Sequence, residues 1–169
     1  MSAANEHRYI LALGSNRPLS ARLAPPALLR AAVAALAEAG QVLAVAPIHD
    51  SAPIGPSRRR YVNSALLLAS PLPPDRMLDQ VQAIERRFGR RRARRWGERT
   101  LDIDIILWSG GRWSSPALRI PHPAYRQRPF VLEPLAAIVP AWRDPITGLR
   151  IAHLRARLKK SRDQSIAGG

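Results

Sequence analysis

The chain has no cysteine among its 169 residues, which excludes disulfide bonds, thiolate metal ligands and thiol nucleophiles. It also has no long apolar stretch, because the most hydrophobic helical segment, residues 27–40, contains Arg30 and Glu38 and is too short to span a bilayer. The first residues show no basic segment followed by an apolar run, so a signal peptide is not expected. We therefore expect a soluble, cytoplasmic protein.

Acidic and aromatic residues are both scarce. Asp and Glu total 12 against 27 Lys and Arg, a formal charge of +15, and such a surplus predicts polyanionic partners such as nucleic acid or phosphate-rich small molecules. An arginine-rich genome would give the same surplus without functional meaning, so the location of the charges has to decide. Aromatic residues make up only 5%, a composition poorly suited to stacking on RNA bases.

The order of predicted elements indicates one α+β domain. With 46% hydrophobic residues, the chain can build one substantial core. This order, β-α-β-β-α-β with additions, is typical of a split β-α-β arrangement, an antiparallel sheet with helices on one side. We treat 1–169 as a single domain with frayed ends at 1–7 and 162–169. Strands are predicted over 8–16, 42–52 (interrupted by Pro47), 61–70, 100–108 and 117–120, and helices over 25–39, 71–89, within 120–140 and over 151–160.

Two aspartates interrupt an apolar strand in the segment GERTLDIDIILW, residues 97–108. Asp102 and Asp104 are two positions apart, so their side chains project from one face of the strand, with Cα atoms about 7 Å apart. Carboxylates so placed repel by about 2 kcal/mol at an effective dielectric constant near 20. A solvent-facing residue and a helix cap would explain a single Asp, whereas a pair favours a bound cation such as Mg²⁺.

A run of arginines, RRRARRW at residues 90–96, lies directly upstream of this strand. Such runs are usually solvated surface, but this one is joined to the strand that carries the carboxylates. Arginines that bind phosphate oxygens, beside a metal that bridges phosphate to Asp, suit a metal–triphosphate complex. A charged segment without apolar periodicity is also suited to act as a lid that closes over its anion.

Two other sets of residues could contact a ligand. Tyr61 and Asn63 face one way on their strand and could hold a flat heterocycle, although core packing and a satisfied amide are the commoner explanation. His122 stands between two prolines in IPHPAYRQRPF, residues 120–130. A single His is more often structural than catalytic, but this rigid setting suits a donor to phosphate.

The segment GERTLDIDIILW with the preceding RRARRW resembles the signature R-W-G-P-R-T-L-D-[IL]-D-I of the 6-hydroxymethyl-7,8-dihydropterin pyrophosphokinase family of folate biosynthesis. The resemblance extends to YILALGSN, to APIGP followed by YVN, and to IPHP and RPFVLEPL, and covers roughly residues 8–140 in order. It implies a ferredoxin-like α+β core, here with a C-terminal extension. It also implies an enzyme that transfers pyrophosphate from ATP to the pterin hydroxymethyl group and releases AMP.

The same resemblance implies roles for individual positions. Asp102 and Asp104 would bind two Mg²⁺ ions, and ATP would be the co-substrate. The arginines assigned to catalysis are Arg90 and Arg92, on the loop that closes over the phosphates, and Arg99. The implied pterin-binding positions, with the two rings stacking on the heterocycle, are Ser51, Ile54, Tyr61, Asn63 and Phe130. The implied ATP-binding positions are Gln82, Glu85, Arg95, Trp96, Arg99, Ile105, His122 and Arg128.

Two alternative functions stay open at the level of sequence. A basic RNA-binding module on a ferredoxin-like scaffold would explain the charge and the sheet, and binding that falls steeply with salt and needs no magnesium would favour it. A nucleotidyl or ordinary phosphoryl transferase could use the same carboxylate pair, but a kinase would leave ADP where a pyrophosphokinase leaves AMP. We expect small-molecule substrates, no nucleic-acid or membrane partner, and a monomer.

Overall fold

The computed structural model of the chain describes residues 6–51, 61–89 and 100–168, and all structural statements refer to these ranges. The strands are β1 His7–Ser15, β2 Gln41–Val45, β3 His49–Ser51, β4 Tyr61–Ser70, β5 Asp102–Trp108, β6 Trp113–Ser114 and β7 Arg119–Ile120. The helices are α1 Pro25–Leu36, α2 Pro74–Arg87, α3 Pro129–Ile138 and α4 Ile151–Ala167, and a short 3-10 turn, Tyr125–Gln127, precedes α3.

Prolines begin three of the four helices of the described chain. Pro25, Pro74 and Pro129 are the first residues of α1, α2 and α3, where the missing N–H costs nothing and the fixed φ suits the helix. Helix α2 is followed by Gly89 at φ +83°, the left-handed conformation that glycine adopts most easily after a helix. The sequence therefore sets most helix boundaries locally.

The main sheet has the strand order β2-β4-β1-β5, with β3 also paired to β4, and every pairing is antiparallel. Strand β4 lies between β1 and β2, so the β1-α1-β2 unit is split by a strand that follows it in the chain. This is the ferredoxin-like α+β arrangement that the sequence predicted. Strands β6 and β7 form a separate antiparallel pair.

The helices pack on both faces of the sheet, so the prediction of helices on one side was wrong. Tyr9, Leu11 and Leu13 of β1 face a core that includes residues of α1 and α2. Ile10 and Ala12 face a second core formed with α3 and α4. A central strand with both faces covered is apolar at nearly every position, which is the pattern of β1.

The C-terminal helix is longer than the sequence predicted. Helix α4 continues to Ala167, past the predicted end at residue 160 and through most of the segment 162–169 that was expected to be frayed. Pro47 separates β2 from β3 as predicted, and β2 lies at the sheet edge. Within the described ranges, none of the helices combines the length and apolar character needed to cross a bilayer.

Candidate active site

The two predicted carboxylates lie on one face at the beginning of β5. Asp102 pairs with Gly14 of β1 and Asp104 pairs with Ala12. The intervening Ile103 is only 4% exposed and belongs to the core under α1 and α2, whereas both aspartates are partly buried. Because side chains alternate along a strand, both carboxylates project from the other face of the sheet, the face on which α3 and α4 pack further along.

A row of three residues crosses the sheet at this level. Gly14 pairs with Asp102 on one side and with Asn63 of β4 on the other. Directly opposed residues of antiparallel strands share a face, and adjacent strands are about 4.8 Å apart, so the backbones at Asn63 and Asp102 are roughly 10 Å apart. Gly14 contributes no side chain between them, and a Cβ added there would lie 3.3 Å from Asn63 Oδ1.

Asn63 is fixed at the bottom of a cleft. Its Nδ2 donates a hydrogen bond of 2.6 Å to Ser51 Oγ, and Asn63 as a whole is 6% exposed. The cleft has a volume of about 700 Å³ and is lined by Ser51, Asn63 and Phe130, among others. This size is ample for a bicyclic heterocycle. The structure thus brings together three of the five positions predicted to bind pterin.

The two other positions predicted to bind pterin are Tyr61 and Ile54, and the structure does not place either of them in the cleft. Tyr61 begins β4 and pairs with Ser51, but it is not one of the described residues that line the cleft. The structure therefore does not show the expected sandwich of two rings around a ligand. Ile54 lies outside the described residues.

His122 is held close to the carboxylate pair. Its backbone N–H donates to the carbonyl of Ile106 in β5 at 3.0 Å, and its Nδ1 accepts the backbone N–H of Ala124 at 3.2 Å. Burial lowers the pKa of His122, and the charge of Arg128 lowers it further, while that of Asp102 raises it. The imidazole is therefore neutral at pH 7, and its hydrogen bond to Ala124 assigns the proton to Nε2. Nε2–H is a donor suited to an anionic ligand.

Arg128 connects the loop of His122 to the cleft. It precedes α3, and its guanidinium carbon lies 5.8 Å from the centroid of the Phe130 ring, within range of a cation–π contact. Phe130 itself lines the cleft. One short segment therefore supplies a predicted ATP-binding cation and a predicted pterin-binding ring.

Three further ATP-binding predictions have different surroundings. Gln82 is exposed on α2. Glu85 is 1% exposed, and its Oε1 accepts the backbone N–H of Ile103 at 3.1 Å, so this carboxylate holds the strand segment between the two aspartates. The side chain of Ile105 is buried in the core under α1 and α2, and only its backbone can face a ligand.

Six predicted site residues lie outside the described residues. They are Ile54, Arg90, Arg92, Arg95, Trp96 and Arg99. Their roles stay predictions from the sequence.

One ion pair in this region was not predicted from the sequence. Arg126 donates from Nε and Nη2 to the two carboxylate oxygens of Asp144, each at 2.6 Å, and the Asp144 side chain is 0% exposed. Burial alone would raise the pKa of Asp144, but hydrogen bonds from Arg126, Thr147 and the Ile146 backbone lower it to about 2. The pair ties the turn at Tyr125–Gln127 to the Asp144–Leu149 turn. In a chain with 27 basic residues, nothing in the sequence distinguishes Arg126.

The fold and the site together define a class: a ferredoxin-like α+β domain with a carboxylate pair beside a cleft that fits a heterocycle. Residues 10–140 match the family 7,8-dihydro-6-hydroxymethylpterin-pyrophosphokinase (HPPK). The chain belongs to this family, as its sequence motifs predicted.

Several similar proteins carry the name 2-amino-4-hydroxy-6-hydroxymethyldihydropteridine pyrophosphokinase. The protein of Synechocystis sp. is 42% identical over 106 residues, 63% of this chain and 54% of its own length. That of Pseudomonas aeruginosa is 43% identical over 106 residues, 62% of this chain and 65% of its own length. That of Haemophilus influenzae is 37% identical over 131 residues, 76% of this chain and 79% of its own length. The chain thus spans less than two thirds of the first two relatives.

A solved structure supports the fold. The crystal structure of wild-type HPPK-DHPS from Plasmodium falciparum aligns with 95% of this chain and 46% of its own chain, with a TM-score of 0.73 and 12% sequence identity. At this identity the likeness concerns the fold alone.

Proposed function

We propose that the protein is a Mg²⁺-dependent enzyme that transfers the β,γ-pyrophosphoryl group of ATP to the hydroxymethyl group of 6-hydroxymethyl-7,8-dihydropterin, in folate biosynthesis. Family membership supports this reaction type. The observation that carries the proposal is the row Asn63–Gly14–Asp102, because it sets a cleft for a flat ring next to a carboxylate pair on one sheet face. The gap at Gly14 lets a short substituent of the ring extend toward the carboxylates.

The residues present fit Mg²⁺. Asp102 and Asp104 offer hard oxygen ligands from adjacent same-face positions. The described ranges contain no group of three or more His, Cys, Asp or Glu residues that could hold a metal ion, and Mg²⁺ in phosphate-transfer sites commonly uses one or two carboxylates together with phosphate oxygens and water. When bound, Mg²⁺ would neutralise phosphate charge and ease deprotonation of the attacking hydroxyl.

The chain's own residues would orient the substrates. Asn63, fixed by Ser51, would hydrogen-bond the edge of the heterocycle, and the Phe130 ring would pack against its face. His122 would donate from Nε2 to a phosphate oxygen, and Arg128 would add positive charge. The hydroxyl would then attack the β-phosphorus in line, with AMP as the leaving group. We assign no general base, so the rate would depend on orientation and electrostatic stabilisation.

The remaining parts of the proposal depend on the sequence. Arg90, Arg92 and Arg99 would stabilise charge on the transferred phosphates. We also propose, from the sequence, that the enzyme acts as a monomer in the cytoplasm.

The nucleotide product tests this function. The purified chain is incubated with ATP, MgCl₂ and 6-hydroxymethyl-7,8-dihydropterin, and the nucleotides are separated by ion-exchange chromatography. We expect AMP and pterin diphosphate in equal amounts, and no AMP when the pterin or the magnesium is omitted. Formation of ADP instead would assign the protein to the ordinary kinases and contradict the proposal.

A further inference from the structure

Helix α4 begins after the residues 10–140 that match the family, yet it reaches the proposed pterin cleft. Ile151, Leu154 and Leu158 lie on one stripe of the helix, at the spacing that places side chains on a common face. Ile151 and Leu154 are buried, and Leu158 packs against the same core. Arg162 follows four residues after Leu158 on this stripe, so it lies on the same side of α4 as the residues that pack on the domain.

An exposed ion pair also connects α4 to α3. Arg155 Nε lies 2.7 Å from Glu133 Oε2. Beyond this pair, Leu158 and Arg162 line the cleft that also contains Ser51, Asn63 and Phe130. The last helix thus forms one wall of the cleft.

Arg162 has donors available for a ligand. Within the described ranges its side chain is exposed and takes part in no hydrogen bond, ion pair or ring contact. Glu133, an acidic residue that lines the same cleft, is already paired with Arg155. A guanidinium presents several N–H donors in a fixed plane, which suits oxygen and ring-nitrogen acceptors.

The position of the cleft decides which part of the substrates Arg162 would contact. The cleft lies over β3 and β4, where Ser51 and Asn63 are, while Asp102 lies beyond Gly14 on β5. Arg162 therefore lines the part of the site that we assign to the heterocycle, whereas the carboxylate pair lies beyond Gly14.

We propose that Arg162 is a pterin-binding residue whose guanidinium donates to an acceptor atom of the heterocycle, while Leu158 covers part of the ring. This inference rests on the proposed function, because it takes the cleft to be the pterin site. It gives the helix outside the family match a direct part in substrate affinity.

The test compares Arg162→Ala with Arg157→Ala in the full chain. Arg157 is an exposed cation on the same helix that does not line the cleft, so it is a matched control. Binding of 6-hydroxymethyl-7,8-dihydropterin is measured by calorimetry with MgCl₂ and a non-hydrolysable ATP analogue, and binding of the analogue is measured separately. For Arg162→Ala we expect a Kd for pterin about tenfold higher, the loss of one charge-assisted hydrogen bond, with unchanged nucleotide binding.

The other outcomes separate the two proposals. Arg162→Lys keeps the charge but not the planar fork, and we expect an intermediate Kd. If Arg162→Ala binds pterin as the wild type does, or if Arg157→Ala weakens binding equally, the role of Arg162 is refuted and the proposed function stands. If the wild-type chain binds the nucleotide analogue but no pterin, both proposals fail.

Discussion

Among single residues, Gly14 would allow one sheet face to bind the two proposed ligands. It lies between Asn63 and Asp102 in adjacent strands and places no side chain between them. Its backbone is ordinary, because the positive-φ glycines of the described chain are Gly89, Gly111 and Gly148. The requirement at Gly14 is therefore for space.

We expect Gly14→Ala to weaken pterin binding and to leave nucleotide binding intact. The new Cβ would lie 3.3 Å from Asn63 Oδ1, so the amide would have to shift, and a lost or distorted hydrogen bond corresponds to roughly a tenfold higher Kd. The measurement is a binding titration with each ligand. Gly168→Ala is the control, since a Cβ there meets only ordinary contact at 3.5 Å. If the two variants bound pterin with the same Kd, Gly14 would not be required for space.

The carboxylate pair gives a second prediction for single residues. Asp102→Asn and Asp104→Asn should each lower the rate of AMP formation at least a hundredfold, because an amide is a poor ligand for Mg²⁺. Stability should be retained or slightly increased, since the repulsion of about 2 kcal/mol between the carboxylates is relieved. Rates are measured across a range of MgCl₂ concentrations, with Asp79→Asn, an exposed aspartate on α2, as control. Near-normal rates in both site variants would remove the metal role.

Between secondary-structure elements, Glu85 links helix α2 to strand β5. Its Oε1 accepts the N–H of Ile103, the residue between the two aspartates, and β5 is an edge strand of the sheet. Since an edge strand lacks a partner on one side, this contact fixes the strand segment from which both carboxylates project. The sequence suggested only an ATP contact for Glu85.

We expect Glu85→Ala to raise the MgCl₂ concentration needed for half-maximal activity, because the buried amide of Ile103 would lose its acceptor and the aspartates their fixed position. The free energy of unfolding should fall by about 1–3 kcal/mol. Glu85→Gln keeps an acceptor oxygen and should lie closer to the wild type in MgCl₂ dependence. A MgCl₂ profile identical to wild type in Glu85→Ala would show that this hydrogen bond does not position the proposed metal site.

The Arg126–Asp144 pair connects two turns and makes stability depend on pH. The pKa of Asp144 is lowered to about 2 from an ordinary value of 3.8. The carboxylate therefore contributes about 2 kcal/mol of stability above pH 4, and this contribution is lost as the pH falls through about 2.

We expect Asp144→Asn to lower the free energy of unfolding at pH 7 by about 2–4 kcal/mol, since it leaves Arg126 without its charged partner. The difference from wild type should shrink as the pH falls below 4. Urea unfolding at pH 7, 4 and 3 measures it, with the exposed ion-pair variant Glu133→Gln as control, for which about 0–1 kcal/mol is expected. A difference that stays constant over this range would contradict the lowered pKa.

For the whole molecule, the sequence predicted the order of elements in the ferredoxin-like core and the carboxylate pair, because alternation and proline positions are local signals. It did not predict that α3 and α4 cover the second sheet face. Residues such as Leu132 and Leu154 indicate that each helix has an apolar face, but they do not indicate which surface of the sheet that face packs on. The Arg126–Asp144 pair joins residues 18 positions apart whose residue types are unremarkable. Contacts fixed by tertiary packing, including the wall formed by α4, become visible only in the structure.

The proposed pterin cleft and the aspartate pair would be two parts of one site. Mn²⁺ can replace Mg²⁺ as a paramagnetic probe, and its effect on nearby protons falls off steeply with distance. With Mn²⁺, a non-hydrolysable ATP analogue and 6-hydroxymethyl-7,8-dihydropterin all bound, NMR should show strong broadening of the hydroxymethyl protons in the wild type and none in Asp102→Asn/Asp104→Asn. Sharp hydroxymethyl signals in the wild-type complex, with both ligands bound, would contradict the account.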